Sequence, residues 1–201
     1  MAPLDENFWQ SRYESGQTTW DMGSISTPLK NYIDQLTNYN LKILIPGGGN
    51  SYEAEYLFMK GFKNVVLLDL ALQPLENFRK RIPEFPQHQL VHENFFDHHG
   101  KYDLIIEQTF FCALDPSLRM EYAKKMFELL KSGGKLVGLL FDDPMIDRIP
   151  PPFGGTRMEY LRYFTPFFEP QIFERAYNSI APRKDRELFM ILLRKEKAES
   201  E

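Results

Sequence analysis

Cysteine is almost missing from the chain. Cys112 stands alone, so no internal disulfide can form, and the four histidines have no cysteine cluster to join in a zinc site. Long apolar runs are missing as well, with none near the ~20 residues that cross a bilayer. The first ten residues, Met1 to Gln10, lack a basic stretch leading into an apolar one. Neither membrane insertion nor secretion is therefore expected, and the expected compartment is the cytoplasm. Basic charge is not in excess: 24 Lys and Arg face 28 Asp and Glu, a net charge of -4. That balance gives no broad attraction for phosphate backbones or anionic lipid, so nucleic acid is not an expected partner. Internal repeats and low-complexity segments are lacking too.

What remains is an ordinary globular composition, 43% apolar and 14% aromatic over 201 residues, which predicts one domain with one sizeable core. Helix periodicity predicts a short helix over Pro28 to Leu36. The apolar run Leu41 to Ile45 stops at Pro46 and three glycines, as a buried parallel strand does when it ends in a tight turn. Helices follow at Tyr52 to Lys60, closed by Gly61, and at Leu72 to Lys80, with strands at Val65 to Leu68, Gln89 to His92 and Asp103 to Glu107. A long helix is expected at Ser117 to Leu130, ended by Ser132-Gly133-Gly134 before a strand at Lys135 to Phe141. This strand and helix alternation predicts an α/β fold with a parallel sheet and right-handed crossovers. Ile149 to Gly155 reads as a Pro/Gly loop and Glu159 to Tyr163 as a helix. Gln171 to Tyr177 and Leu188 to Arg194 are too close together for a crossover helix and suit an antiparallel pair. The tail, Lys195 to Glu201, is expected to fray.

The glycine turn carries the first chemical signal. A strand running into Gly47, Gly48 and Gly49 before a helix lets backbone approach a ligand, since no Cβ intervenes. Asp69, at the end of the next strand, lies twenty residues beyond Gly49, a spacing that suits a carboxylate accepting ribose hydroxyls of an adenosine-containing cofactor. The run is not G-x-G-x-x-G and no G-K-[ST] follows, which counts against a dinucleotide or triphosphate site. Taken alone, the glycines also fit a simple strand-to-helix joint.

Three further stretches bear on this. Phe8-Trp9-Gln10-Ser11-Arg12-Tyr13, continuing through Trp20-Asp21-Met22-Gly23, resembles the N-terminal signature of the thiopurine S-methyltransferase superfamily. So does Phe110-Phe111-Cys112-Ala113-Leu114-Asp115-Pro116, followed by the Arg119 to Leu130 helix and the Lys131 to Leu136 turn. Pro151 to Gly155 resembles that family's Gly/Pro-rich loop, and the whole is most similar to the thiol and halide methyltransferase branch. The resemblance implies a Rossmann-like class I methyltransferase: a seven-stranded, mostly parallel sheet with an antiparallel C-terminal strand and helices on both faces. It implies S-adenosyl-L-methionine as cofactor, S-adenosyl-L-homocysteine as product, a small-molecule acceptor and a monomer. Within the single domain, residues 8–40 would form an aromatic lid, 41–141 the cofactor-binding core, and 142–194 the substrate-side loop, helix and strand pair.

By the same resemblance, Trp9, Tyr13 and Trp20 match aromatic positions that close over the cofactor. Gly47 matches the turn glycine beside its amino-acid moiety, with Gly49 a further expected cofactor contact in the same turn, and Asp69 matches the ribose-binding acid. Asn94 and Phe95 match the pair flanking the adenine, and Gln108 a position at the end of the fourth strand near cofactor and substrate. Tyr13 stands where tryptophan is common, Gly48 where a cysteine or similar small residue is common, and Gln108 where relatives carry an aromatic or an arginine. Plainer roles stand beside these: Trp9 and Trp20 as a hydrophobic plug, the phenylalanines as core or pocket wall, Cys112 as a small buried residue, His98 and His99 as solvated loop residues. No catalytic triad and no metal-ligand set is recognisable. Glu107 and Gln108 end a strand where such sheets bind ligands, and Tyr177 and Arg183 are candidates to reach the same place. A non-catalytic nucleoside-cofactor-binding module and a nicotinamide-dependent reductase are the alternative functions.

Overall fold

The structure, a computed structural model, describes residues 3–143, 145 and 150–197. Its elements are α1 (Glu6–Glu14), α2 (Thr27–Asp34), β1 (Lys42–Pro46), α3 (Tyr52–Met59), β2 (Asn64–Asp69), α4 (Leu72–Arg81), β3 (Leu90–His92), β4 (Tyr102–Gln108), α5 (Phe110–Ala113), α6 (Arg119–Leu129), β5 (Leu130–Phe141), α7 (Arg157–Phe164), β6 (Phe168–Arg175) and β7 (Glu187–Arg194). The strands form a seven-stranded sheet in the order β3-β2-β1-β4-β5-β7-β6. β1 pairs with β2, β2 with β3, and β4 with β5, all in parallel, while β7 runs antiparallel to both β5 and β6. One reversed strand in a parallel sheet is the expected arrangement. The chain divides into two compact units, Met1–His98 and His99–Glu201.

In the first unit, β1 buries Ile43, Leu44 and Ile45, and β2 buries Val65, Leu67 and Leu68. Helices α3 and α4 cover them with Ala54, Leu57, Leu75 and Phe78. The aromatic leader, which sequence left without an element, is helical: the Asp5 carboxylate accepts the Phe8 N–H at 2.9 Å and caps α1. Gln10 of α1 then accepts the Gln73 N–H at 2.9 Å, tying it to the first turn of α4.

In the second unit, two strand boundaries differ from expectation. β5 begins at Leu130, directly after α6, because Tyr102 pairs with Leu130 before the register shifts and Leu104 pairs with Lys135. Gly133, at φ +72°, lets the intervening residues swing out, so the glycines serve a detour within the strand rather than a separate helix stop. β6 begins at Phe168, three residues before the expected Gln171. Pro170 is tolerated there because β6 is an edge strand with a register shift between Pro170 and Ile172. Ile149, the first residue of the expected loop, and residues 198–201 of the tail lie outside the described residues. Among the described residues no helix is long and apolar enough to cross a membrane.

Candidate functional site

β1 delivers the chain into a turn that only glycine makes without strain. Gly47 and Gly49 sit at φ +56° and +54°. Gly48 donates its N–H to the Leu68 carbonyl at 3.2 Å. A Cβ on Gly48 would lie 2.2 Å from Leu67 Cδ1, so the leucine of β2 fills the space that a side chain there would need. A Cβ on Gly49 would lie 2.6 Å from Tyr13 Oη. The Tyr13 phenol is thus seated on the turn itself.

Asp69 closes the same turn from β2. Its Oδ2 accepts the Gly49 N–H at 2.8 Å and its Oδ1 the Ala71 N–H at 2.9 Å. Burial raises its pKa to about 6, although the N–H groups of Ala71, Gly49 and Leu70 and the nearby His92 favour the charged form. A carboxylate has about four acceptor positions, which these N–H groups do not exhaust. Tyr13 is held by the Trp20 side chain, whose indole N–H bonds the phenol oxygen, and burial followed by the nearby Asp69 charge pushes its pKa up. Trp20 packs edge-on against Tyr13 at 5.8 Å and against Trp9 at 5.6 Å. Five of the expected residues, Trp9, Tyr13, Trp20, Gly49 and Asp69, therefore form one constellation.

Sequence reasoning missed the polar residues that follow the turn. Ser51 takes φ +44° at the start of α3, a left-handed conformation without a glycine to announce it. Asn50 donates to the Asp21 carboxylate, which also accepts from Tyr52 and the Gly23 N–H. Arg81 bonds the Asn50 carbonyl and pairs with Glu55 at 2.6 Å while lying over the Tyr52 ring. Asn50 Oδ1 and Ser51 Oγ are buried and have no hydrogen-bond partner among the described residues. An amide oxygen and a hydroxyl without partners, beside a glycine turn and a buried carboxylate, could together accept hydrogen bonds from a polar, cationic group.

The loop after β3 adds Asn94 and Phe95. Glu93 donates its N–H to the Asp69 carbonyl at 3.2 Å, which brings this loop to Asp69. Asn94 is exposed and caps a short turn by accepting the Phe96 N–H at 3.0 Å, whereas Phe95 is buried edge-on against Phe96. His98 differs from the sequence expectation: it is only 6% exposed and its Nδ1 meets the Glu93 carboxylate, a partner that repays its burial. His99 is exposed as expected.

In the second unit, Gln108 is half-buried at the last position of β4. Thr109 follows at φ +58°, and its carbonyl accepts the Cys112 and Ala113 N–H groups at 3.1 Å to start α5. Glu107, 0% exposed, holds this turn by accepting the Phe111 N–H at 3.0 Å. Burial drives its pKa to about 8 against the N–H groups of residues 109–111 and the Tyr122 hydroxyl, which favour the charge. Cys112 is buried as expected, accepts the Phe141 N–H at 3.4 Å, and is raised by burial to about 12. Tyr177 is 90% exposed. Arg183 is buried, paired with Glu187 at 3.0 Å and stacked over Phe141. Among the described residues no group of His, Cys, Asp and Glu has the geometry of a metal site.

Comparison with known proteins places these features in context. The family model described as thiopurine S-methyltransferase matches residues 4–198. Probable thiol methyltransferase 2 of Arabidopsis thaliana is 31% identical over 194 residues, covering 93% of this chain and 84% of that protein. Thiocyanate methyltransferase 1 of Brassica oleracea is 32% identical over 193 residues, covering 92% and 83%. Among solved structures, the 1,6-didemethyltoxoflavin-N1-methyltransferase of Burkholderia thailandensis, with bound 1,6-didemethyltoxoflavin and S-adenosylhomocysteine, superposes with a TM-score of 0.70 at 15% identity. It covers 95% of this chain and 87% of that one, which supports the class I methyltransferase fold.

Proposed function

Because the chain belongs to the thiopurine S-methyltransferase family, we propose that it uses S-adenosyl-L-methionine to methylate a small nucleophile: a thiol, bisulfide, halide or thiopurine. The carrying observation is the Gly47 to Ser51 turn, with Asp69 locked to Gly49 and a buried amide oxygen and hydroxyl left unpaired beside it. Asp69 would take the ribose hydroxyls, Asn50 Oδ1 and Ser51 Oγ the charged amino-acid end, and Trp9, Tyr13 and Trp20 would cover the cofactor. Asn94 and Phe95 would flank the adenine, and Gln108 would face cofactor and acceptor. When bound, the cofactor supplies a methyl carbon activated by a sulfonium charge.

The residues then have two tasks. Aromatic rings exclude water, which favours a reaction that consumes charge when an anionic nucleophile meets a cation. The glycine turn and Asp69 fix one reactant, and alignment of the other at near-attack distance supplies several kcal/mol without a base. A soft sulfur nucleophile, ionised in part near neutral pH, needs only to be selected in that form. The names of the two plant relatives favour sulfur acceptors among the candidates.

The test is a panel of thiols, bisulfide, thiocyanate, iodide and thiopurines with methyl-labelled donor. Label transfer to at least one sulfur acceptor is expected. Donor binding with no transfer to any acceptor would instead favour a non-catalytic binding module.

A further inference from the structure

Arg119 is 1% exposed, yet it carries a charge that sequence gave no reason to bury. Its guanidinium lies over Phe111 and Tyr160, 4.9 and 5.2 Å from the ring centroids. One end pairs with Glu159 of α7 at 2.7 Å, and the other donates to the carbonyls of Phe153 and Gly154 at 3.3 and 3.0 Å. Its Nε has no partner among the described residues. A buried cation with one donor unsatisfied is a costly way to gain stability, because a well-packed apolar side chain would avoid that desolvation.

The segment it grips lies at the carboxyl ends of two strands. Phe153 donates its N–H to the Cys112 carbonyl at 2.6 Å, on the short helix that follows β4, and Gly155 donates to the Asp143 carbonyl at 3.1 Å, just beyond β5. A Cβ on Gly155 would lie 2.5 Å from the Tyr160 ring, so the segment is packed tightly down. Ligands of open α/β sheets bind outside the carboxyl ends of the strands.

Resting on the methyltransferase assignment, we infer that Arg119 is a positioning residue: it clamps Phe153 to Gly155 onto α5 and α7 and so sets affinity for the acceptor, not for the methyl donor. It touches neither reactant. It acts through the backbone it holds, where the planar fork of arginine serves Glu159 and two carbonyls at once.

The experiment compares wild type with Arg119→Lys and Glu159→Gln. Lysine keeps the charge but cannot span all three partners or stack as a plane. Amide hydrogen exchange of Phe153 and Gly155, read without any ligand, should quicken about tenfold or more in Arg119→Lys, the scale of lost charge-assisted hydrogen bonds. KM for the acceptor probe, the thiol of the panel above that the wild type methylates fastest, should rise by a similar factor, while calorimetric Kd for S-adenosylhomocysteine stays within about twofold. Glu159→Gln retains an acceptor for Arg119, and should shift exchange and acceptor KM in the same direction by less. It also serves as the test should Arg119→Lys not fold. Unchanged acceptor KM, or an equal loss of donor affinity, overturns the role of Arg119. Failure of the wild type to bind donor would instead remove the methyltransferase assignment, and this inference with it.

Discussion

Glu107 offers a sharp test of the electrostatics at the end of β4. It is fully buried, faces Tyr122 and Cys112, and has a pKa moved from 4.5 to about 8. Between those two values the folded protein keeps a proton that the unfolded chain has released. Stability must then fall as pH rises through this window, and the displacement corresponds to roughly 5 kcal/mol by pH 8. Asp69 contributes with the same sign over a narrower window, from 3.8 to about 6, roughly 3 kcal/mol. Glu107→Gln mimics the protonated acid: the amide oxygen accepts the Phe111 N–H and the amide nitrogen faces Tyr122. It removes the first dependence and keeps the second. Urea unfolding of both proteins at pH 5, 7 and 9 is the assay. Near pH 5 the two should agree within about 1 kcal/mol, while at pH 9 the variant should be the more stable by several kcal/mol. Parallel stability curves across that range, or a variant less stable at pH 9, would refute the reasoning.

Gly49→Ala meets two obstacles, a positive φ costing ~1–2 kcal/mol and the Tyr13 hydroxyl 2.6 Å from the new Cβ. Adding Tyr13→Phe removes that oxygen and leaves the ring carbon at 3.6 Å, so a double-mutant cycle by thermal unfolding should show favourable coupling of roughly 0.5–2 kcal/mol. Simple additivity would mean that Tyr13 is not seated on the turn. Cys112, buried with its pKa near 12, should resist a thiol reagent in the native protein at pH 8 and react at once in guanidinium. Reaction of the native protein at the rate of a free thiol would contradict its placement.

How far these features were legible in sequence depends on whether backbone and side chain speak together. β1 and its turn were legible because an apolar run meets glycines at positions that need positive φ. Asp69 was legible because spacing along a β-α-β unit carries it to the same edge. Ser51 and Thr109 adopt left-handed conformations with side chains that give no such signal, so the polar wall beside the turn and the bend after Gln108 stayed hidden. Burial of His98 and Arg119 depends on Glu93, Glu159 and the carbonyls of Phe153 and Gly154, partners that local pattern cannot pair. Pro170 hid the start of β6, since proline in a strand is informative only once the strand is known to be an edge. The helical leader carried a readable cap in Asp5, but its aromatic density masked the period.

The central claim is that the Gly47 to Ser51 turn and Asp69 form a methyl-donor site. Isothermal calorimetry with S-adenosylhomocysteine, on wild type and Asp69→Ala, tests it most directly. The wild type should bind one equivalent, and Asp69→Ala should lose at least about tenfold in affinity, as expected when a buried carboxylate can no longer accept ribose hydroxyls. No heat of binding from folded wild-type protein, or equal affinity in the two proteins, would contradict the assignment.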